Sequence, residues 1–164
     1  MRPTRVFVGL GSNLGNRRAT VLAAWRELQE LFFGAPELSP IYESEPQYDR
    51  EQPRFLNAVA AGRTRLGPFE LLDELLAIER RLGRQRDQER PKGPRSIDLD
   101  LLLYRDWLVC HPRLVLPHPG ITERLFVLQP LIDLDPELTD PQCGRVYARY
   151  LSETGEKGIY PING

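Results

Sequence analysis

Gly93-Pro94-Arg95-Ser96-Ile97-Asp98-Leu99-Asp100-Leu101-Leu102-Leu103 is the stretch on which the fold reading turns. From Ile97 onward apolar and acidic residues alternate, and a β-strand points alternate side chains to opposite faces. Ile97, Leu99, Leu101 and Leu103 are expected together on one buried face. Asp98 and Asp100 are expected on the other, about 6.6–7 Å apart along the strand. Two carboxylates side by side on a rigid element repel each other unless a cation lies beside them. Hard oxygen donors suit Mg²⁺, which takes one or two carboxylates and completes its shell with water and substrate phosphates. A half-buried strand with two aspartates on its solvent face shows the same alternation, so spacing alone leaves both readings open.

The residues before the strand favour the metal. Arg80, Arg81, Arg84, Arg86, Arg90, Lys92 and Arg95 crowd the segment from Glu79 to Arg95, against Glu79, Asp87 and Glu89 as its anions. Charge runs are commonly solvated loops. A cationic loop feeding an acidic strand also matches a Mg²⁺–polyphosphate ligand: carboxylates for the metal, guanidinium forks for phosphoryl oxygens. Phosphoryl or pyrophosphoryl chemistry is the class this pairing points to.

Working outward, Arg5–Leu10 reads as a first strand and Gly11–Asn16 as a turn, with Asn16 as N-cap of a helix over Arg17–Leu31. Gly34-Ala35-Pro36 stops that helix. Leu38–Tyr42 reads as a second strand, Glu45–Arg54 as a polar loop and Leu56–Gly62 as a third strand. Gly67-Pro68 opens a second helix with Leu72, Leu75, Leu76 and Leu82 on its apolar stripe, and Gly83 ends it. The order β-α-β-β-α-β is ferredoxin-like. The expected class is α+β, an α/β sandwich: a largely antiparallel sheet with helices packed on it. A C-terminal extension follows, with short helices near Phe126–Leu131 and Arg145–Thr154.

The chain has 164 residues and a formal net charge of −1. That fits one domain, residues 1–164, and argues against a general nucleic-acid or anionic-membrane surface. No stretch approaches the ~20 apolar residues of a membrane span. Cys110 and Cys143 lack metal-ligand spacing and make no disulfide framework, so a reducing cytoplasm is expected. The glycines from Gly9 to Gly15 miss the dinucleotide fingerprint, and no P-loop motif occurs. Cys110, His111 and His118 are too irregular for zinc.

Four segments carry a resemblance: Gly11-Ser12-Asn13-Leu14-Gly15, Gln52-Pro53-Arg54-Phe55-Leu56-Asn57, Gly93-Pro94-Arg95-Ser96-Ile97-Asp98-Leu99-Asp100, and Leu116-Pro117-His118-Pro119 with Arg124–Leu128. From about Val6 to Glu137 the chain resembles the 6-hydroxymethyl-7,8-dihydropterin pyrophosphokinase family of folate biosynthesis. The resemblance implies transfer of the diphosphoryl group of ATP to the pterin hydroxymethyl group, with release of AMP. It implies two Mg²⁺ ions on Asp98 and Asp100, and loop arginines Arg84 and Arg95 as catalytic charges. It implies ATP contacts at Glu79, Arg84, Arg86, Lys92, Arg95, Ile97, Arg113, His118 and Arg124. It places the pterin against Ser44, Glu45, Phe55, Asn57 and Phe126. The expected partners are ATP and the pterin, with no nucleic acid and no membrane, and the chain is expected to be a monomer. A two-metal phosphodiesterase built on the same acid pair, or a nucleotide-binding module without chemistry, are the alternatives.

Overall fold

The computed structural model describes residues 2–46, 51–84, 96–154 and 159–162. β1 (Thr4–Ser12) runs two residues further than its apolar pattern suggests, so Gly11 and Ser12 are strand rather than turn. α1 (Arg17–Gln29) starts as expected: the Asn16 side-chain oxygen accepts the Ala19 N–H at 3.1 Å. The expected strand Leu38–Tyr42 is instead two, β2 (Phe33–Leu38) and β3 (Tyr42–Ser44). Pro40 cannot donate to a ladder, and Ser39 takes over at the break. Its N–H donates to Val59 O at 2.9 Å and its hydroxyl accepts the Val59 N–H at 2.9 Å.

β4 (Phe55–Thr64) leads to α2 (Pro68–Arg81). The Glu70 carboxylate accepts the Gly67 N–H at 3.2 Å, and the chain leaves α2 through Gly83 at φ +91. β5 (Asp98–Tyr104) is the acidic strand. The hairpin β6 (Val109–His111) and β7 (Leu114–Leu116), absent from the sequence reading, precedes α3 (Leu125–Leu134) and the single turn α4 (Ala148–Leu151). A last strand, β8 (Ile159–Pro161), also comes unannounced.

The main sheet runs β5-β1-β4-β3-β8, with β2 also pairing β4, and every pairing is antiparallel. This is the expected ferredoxin-like order, and β8 extends it. α1 and α2 cover one face, over Val6, Val8, Leu10, Leu56, Ala58, Leu99 and Leu101. α3 covers part of the other, over Phe7, Val59, Ala61, Leu102 and Leu103. Leu103 therefore leaves the face predicted for it. Phe7 pairs with Leu103 but Val8 with Leu101, so Leu102 is an extra residue. Such a bulge shifts the alternation by one, and Tyr104 joins the α1/α2 core instead. No helix among the described residues is long and apolar enough to cross a membrane.

Candidate active site

Beside α3, where the second face is left uncovered, lies a cavity of about 300 Å³. Strand register builds its floor. Gly11 pairs with Asp98 on one side and Asn57 on the other; Gly9 pairs with Asp100 and Val59. Directly paired residues share a face, so Gly11 separates Asp98 from Asn57 by about 9–10 Å, two strand spacings, and Gly9 separates Asp100 from Val59 in the next row. A Cβ on Gly11 would stand 3.4 Å from Asn57 Oδ1, and one on Gly9 would stand 3.5 Å from Leu102 Cδ1. The missing side chains are what leave the floor open.

One wall is charged. Asp98, Asp100, Arg84, His118 and Arg124 line it. Arg84 is buried, and its Nη1 lies 2.9 Å from Glu79 Oε2, 3.1 Å from Ile97 O and 2.9 Å from Asp98 Oδ1. Glu79 Oε2 also accepts the Leu99 N–H at 2.8 Å. This network ties the end of α2 to the start of β5 and sets the direction of Asp98. Buried charges of this kind are held by mutual pairing, and removing one partner costs about 3–5 kcal/mol. His118 is fixed by its backbone N–H to Leu102 O at 2.9 Å and by Nδ1 accepting the Gly120 N–H at 3.0 Å. Burial, aided by the Arg124 guanidinium, pushes its pKa below the ordinary 6.5, with Asp98 pulling the other way. The neutral ring then carries its proton on Nε2.

The facing wall is aromatic and amide-bearing: Ser44, Gln52, Phe55, Asn57 and Phe126, with Glu45 at its edge. Asn57 Nδ2 donates to Ser44 Oγ at 2.6 Å, so a side chain buried in a strand is oriented by its neighbour. The buried Asn13 donates through Nδ2 to Gln52 Oε1 at 2.7 Å and to Pro53 O at 3.1 Å.

Among the described residues no three His, Cys, Asp or Glu side chains gather as a metal cage. Two carboxylates at the edge of an open cavity fit a cation that draws the rest of its shell from water and phosphate. That is the habit of Mg²⁺ and not of structural zinc.

The family model described as 7,8-dihydro-6-hydroxymethylpterin-pyrophosphokinase (HPPK) matches residues 7–136. The chain belongs to this family. It is 44% identical over 165 residues to the 2-amino-4-hydroxy-6-hydroxymethyldihydropteridine pyrophosphokinase of Pseudomonas aeruginosa, covering 98% of each chain. It is 40% identical over 157 residues to the folic acid synthesis protein fol1 of Pneumocystis carinii. There it covers 96% of this chain but only 21% of that longer protein. A crystal structure of an HPPK-DHPS protein in complex with substrates superposes with a TM-score of 0.75 over 93% of this chain and 43% of that one. At 14% identity this supports the fold. The HPPK family comprises ATP- and Mg²⁺-dependent diphosphotransferases of folate synthesis, and this chain is one of them. The phosphodiesterase and the non-catalytic module are set aside.

The fold gathers most residues that the resemblance singles out. Ser44, Glu45, Phe55, Asn57, Arg84, Asp98, Asp100, His118, Arg124 and Phe126 all line the one cavity. Three others stand back from it. Glu79 is buried against Arg84 and Leu99, and Ile97 is wholly buried and offers its carbonyl to Arg84. Arg113 sits on the β6–β7 turn, paired with Asp73 of α2. Arg86, Lys92 and Arg95 lie outside the described residues. The sequence reading gave no role to Gly9, Gly11, Asn13 or Gln52. A usable signal was present: glycines two apart inside an apolar strand mark close approach by another group.

Proposed function

We propose that this chain transfers the β,γ-diphosphoryl group of ATP to the hydroxymethyl oxygen of 6-hydroxymethyl-7,8-dihydropterin, giving AMP and the pterin diphosphate. Residues 1–164 would act as one pyrophosphokinase domain. The observation that carries this reading is the row Asp98–Gly11–Asn57. A carboxylate suited to a metal–phosphate and an amide suited to a heterocycle edge stand either side of one glycine.

In this reading Asp98 and Asp100 hold two Mg²⁺ ions. When bound, Mg²⁺ neutralises the triphosphate, polarises the phosphoryl group under attack and lowers the pKa of the attacking hydroxyl. The remaining work falls to side chains. Asn57, oriented by Ser44, takes the pterin edge, and Phe55 and Phe126 offer faces for offset stacking. This wall points the hydroxymethyl group across the glycine floor. The hydroxymethyl oxygen bonds to the β-phosphorus as the bond from that phosphorus to the α,β-bridging oxygen breaks. AMP leaves with the bridging oxygen, and the hydroxyl proton passes to solvent. Arg84 and Arg95 meet the charge that grows on the leaving oxygen. Arg86, Lys92, Arg113, His118 and Arg124 bind the nucleotide, and Glu79 and Ile97 contribute by holding Arg84.

Exposed free Cys110 and Cys143 support a reducing, cytoplasmic setting. Incubation with ATP, Mg²⁺ and the pterin tests the reaction: AMP should form only when the pterin is present. Formation of ADP, or no nucleotide product, would overturn the assignment.

A further inference from the structure

The wall that faces the pterin has a reverse side, and charge holds it there. Ser44 and Phe55 are cross-strand partners on the cavity face, while Glu43 and its partner Leu56 point the other way. The α1/α2 core continues under Leu56, but β3 is only three residues long and lies near the sheet edge. Past that point an ion-pair network replaces the apolar backing. Arg17, at the first turn of α1, donates through Nη1 to Arg54 O at 2.8 Å and through Nη2 to Glu43 Oε2 at 3.1 Å. Arg54 Nη1 reaches Glu43 Oε1 at 3.3 Å, and Nη2 reaches Glu45 Oε1 at 2.6 Å. The Arg54 guanidinium also lies over the Tyr160 ring of β8, 5.6 Å from its centroid.

Two cavity residues of this wall, Ser44 and Phe55, thus have members of the network beside them in sequence: Glu43 and Glu45 flank Ser44, and Arg54 precedes Phe55. Arg54 is held by both its backbone and its side chain. It also neutralises Glu43 behind the wall and Glu45 at the rim of a cavity whose nucleotide and whose diphosphate product are both anionic. We propose that Arg54 is a positioning residue for the pterin: braced by Arg17 and Glu43 and joined to Glu45, it sets the Ser44–Phe55 wall against which the ring stacks. This rests on the reading of that wall as the pterin site.

Exposed ion pairs contribute little to global stability, so the effect should appear in one substrate and not in folding. The test measures pterin binding by fluorescence, binding of a fluorescent ATP analogue, and steady-state kinetics in wild type, Arg54→Ala, Arg54→Lys, and Arg54→Ala combined with Glu43→Gln. Arg54→Ala should weaken pterin binding and raise its KM by about three- to tenfold, the reach of one or two exposed ion pairs. Its kcat, nucleotide affinity and melting temperature should stay near wild type. Arg54→Lys should recover most of the loss, because the charge returns. The double variant should bind pterin no more weakly than Arg54→Ala alone, since both changes break one network. Unchanged pterin binding in Arg54→Ala, or equal losses for pterin and nucleotide, would overturn the role of Arg54. Failure of the wild-type protein to bind the pterin at all would instead overturn the assignment of the wall.

Discussion

On the face covered by α1 and α2, Val8, Leu10, Leu99 and Leu101 close into a continuous core. On the opposite face, one residue along the same strands, Gly9, Gly11, Asp98 and Asp100 border the cavity. Nothing but strand alternation separates the two sets. The packed face fixes the spacing and tilt of β1, β4 and β5. The cavity floor inherits that rigidity, while α3 packs on the rest of its face. Positions next to each other in sequence should therefore fail in different ways.

The sharpest contrast is expected at the acids. Asp98→Ala and Asp100→Ala should each reduce AMP formation by about 10³-fold or more while the protein still folds. Arg84 keeps Glu79 as a counter-ion when Asp98 is lost. Mg²⁺ titration of the nucleotide complex should show weakened metal binding in both. Near-full activity at saturating Mg²⁺ would break the contrast. Leu101→Ala, beside Asp100, should do the reverse. It leaves a hole in a fully packed layer and should cost about 2–5 kcal/mol in denaturant unfolding, with turnover per folded molecule close to wild type.

Gly11→Val tests the floor. No positive φ is required there, and valine suits a strand, so stability should hold. The added side chain would stand between Asp98 and Asn57 and should lower kcat/KM for the pterin by about 10²-fold, read from AMP release at varied pterin. The smallest effect concerns His118. Its folded pKa is depressed, so the unfolded chain binds the proton more readily. The neutral ring's contribution is complete above the unfolded value of 6.5 and is lost as pH falls below it. Stability should decline by less than about 1.4 kcal/mol per pH unit in that window, and His118→Gln should flatten the slope in urea melts at several pH values.

The alternation Ile97–Leu101 sufficed to predict an acidic strand on a buried sheet, because period two is a local property of the chain. Asn16 and Gly83 marked helix ends for the same reason: a cap and a left-handed turn depend on near neighbours. Leu103 went to the wrong face because a bulge is defined by two strands together, and no single strand encodes the extra residue opposite Phe7 and Val8. The break at Ser39 and Pro40 likewise depends on what Val59 offers across the sheet. Most of the cavity residues were legible through the resemblance. The glycine floor was not, since Gly9 and Gly11 acquire meaning only when the register sets them between Asp98, Asp100 and Asn57. Arg17 and Glu43 were invisible for the same reason: 26 positions apart, they meet only through the packing of α1 on the sheet, against β4, to which β3 pairs.

The Arg84 guanidinium has one further consequence. It precedes residues 85–95 and clasps Ile97 and Asp98 just after them, so both ends of that span are tethered to a single buried point. Insertions or deletions between the tethers would leave the acids where they stand. Closing a longer span is thermodynamically mild, at about 0.6 kcal/mol for each doubling of length. Under the proposed function, natural variation between the tethers can therefore retune the phosphate contacts assigned to Arg86, Lys92 and Arg95 without rebuilding the strand that carries the acids.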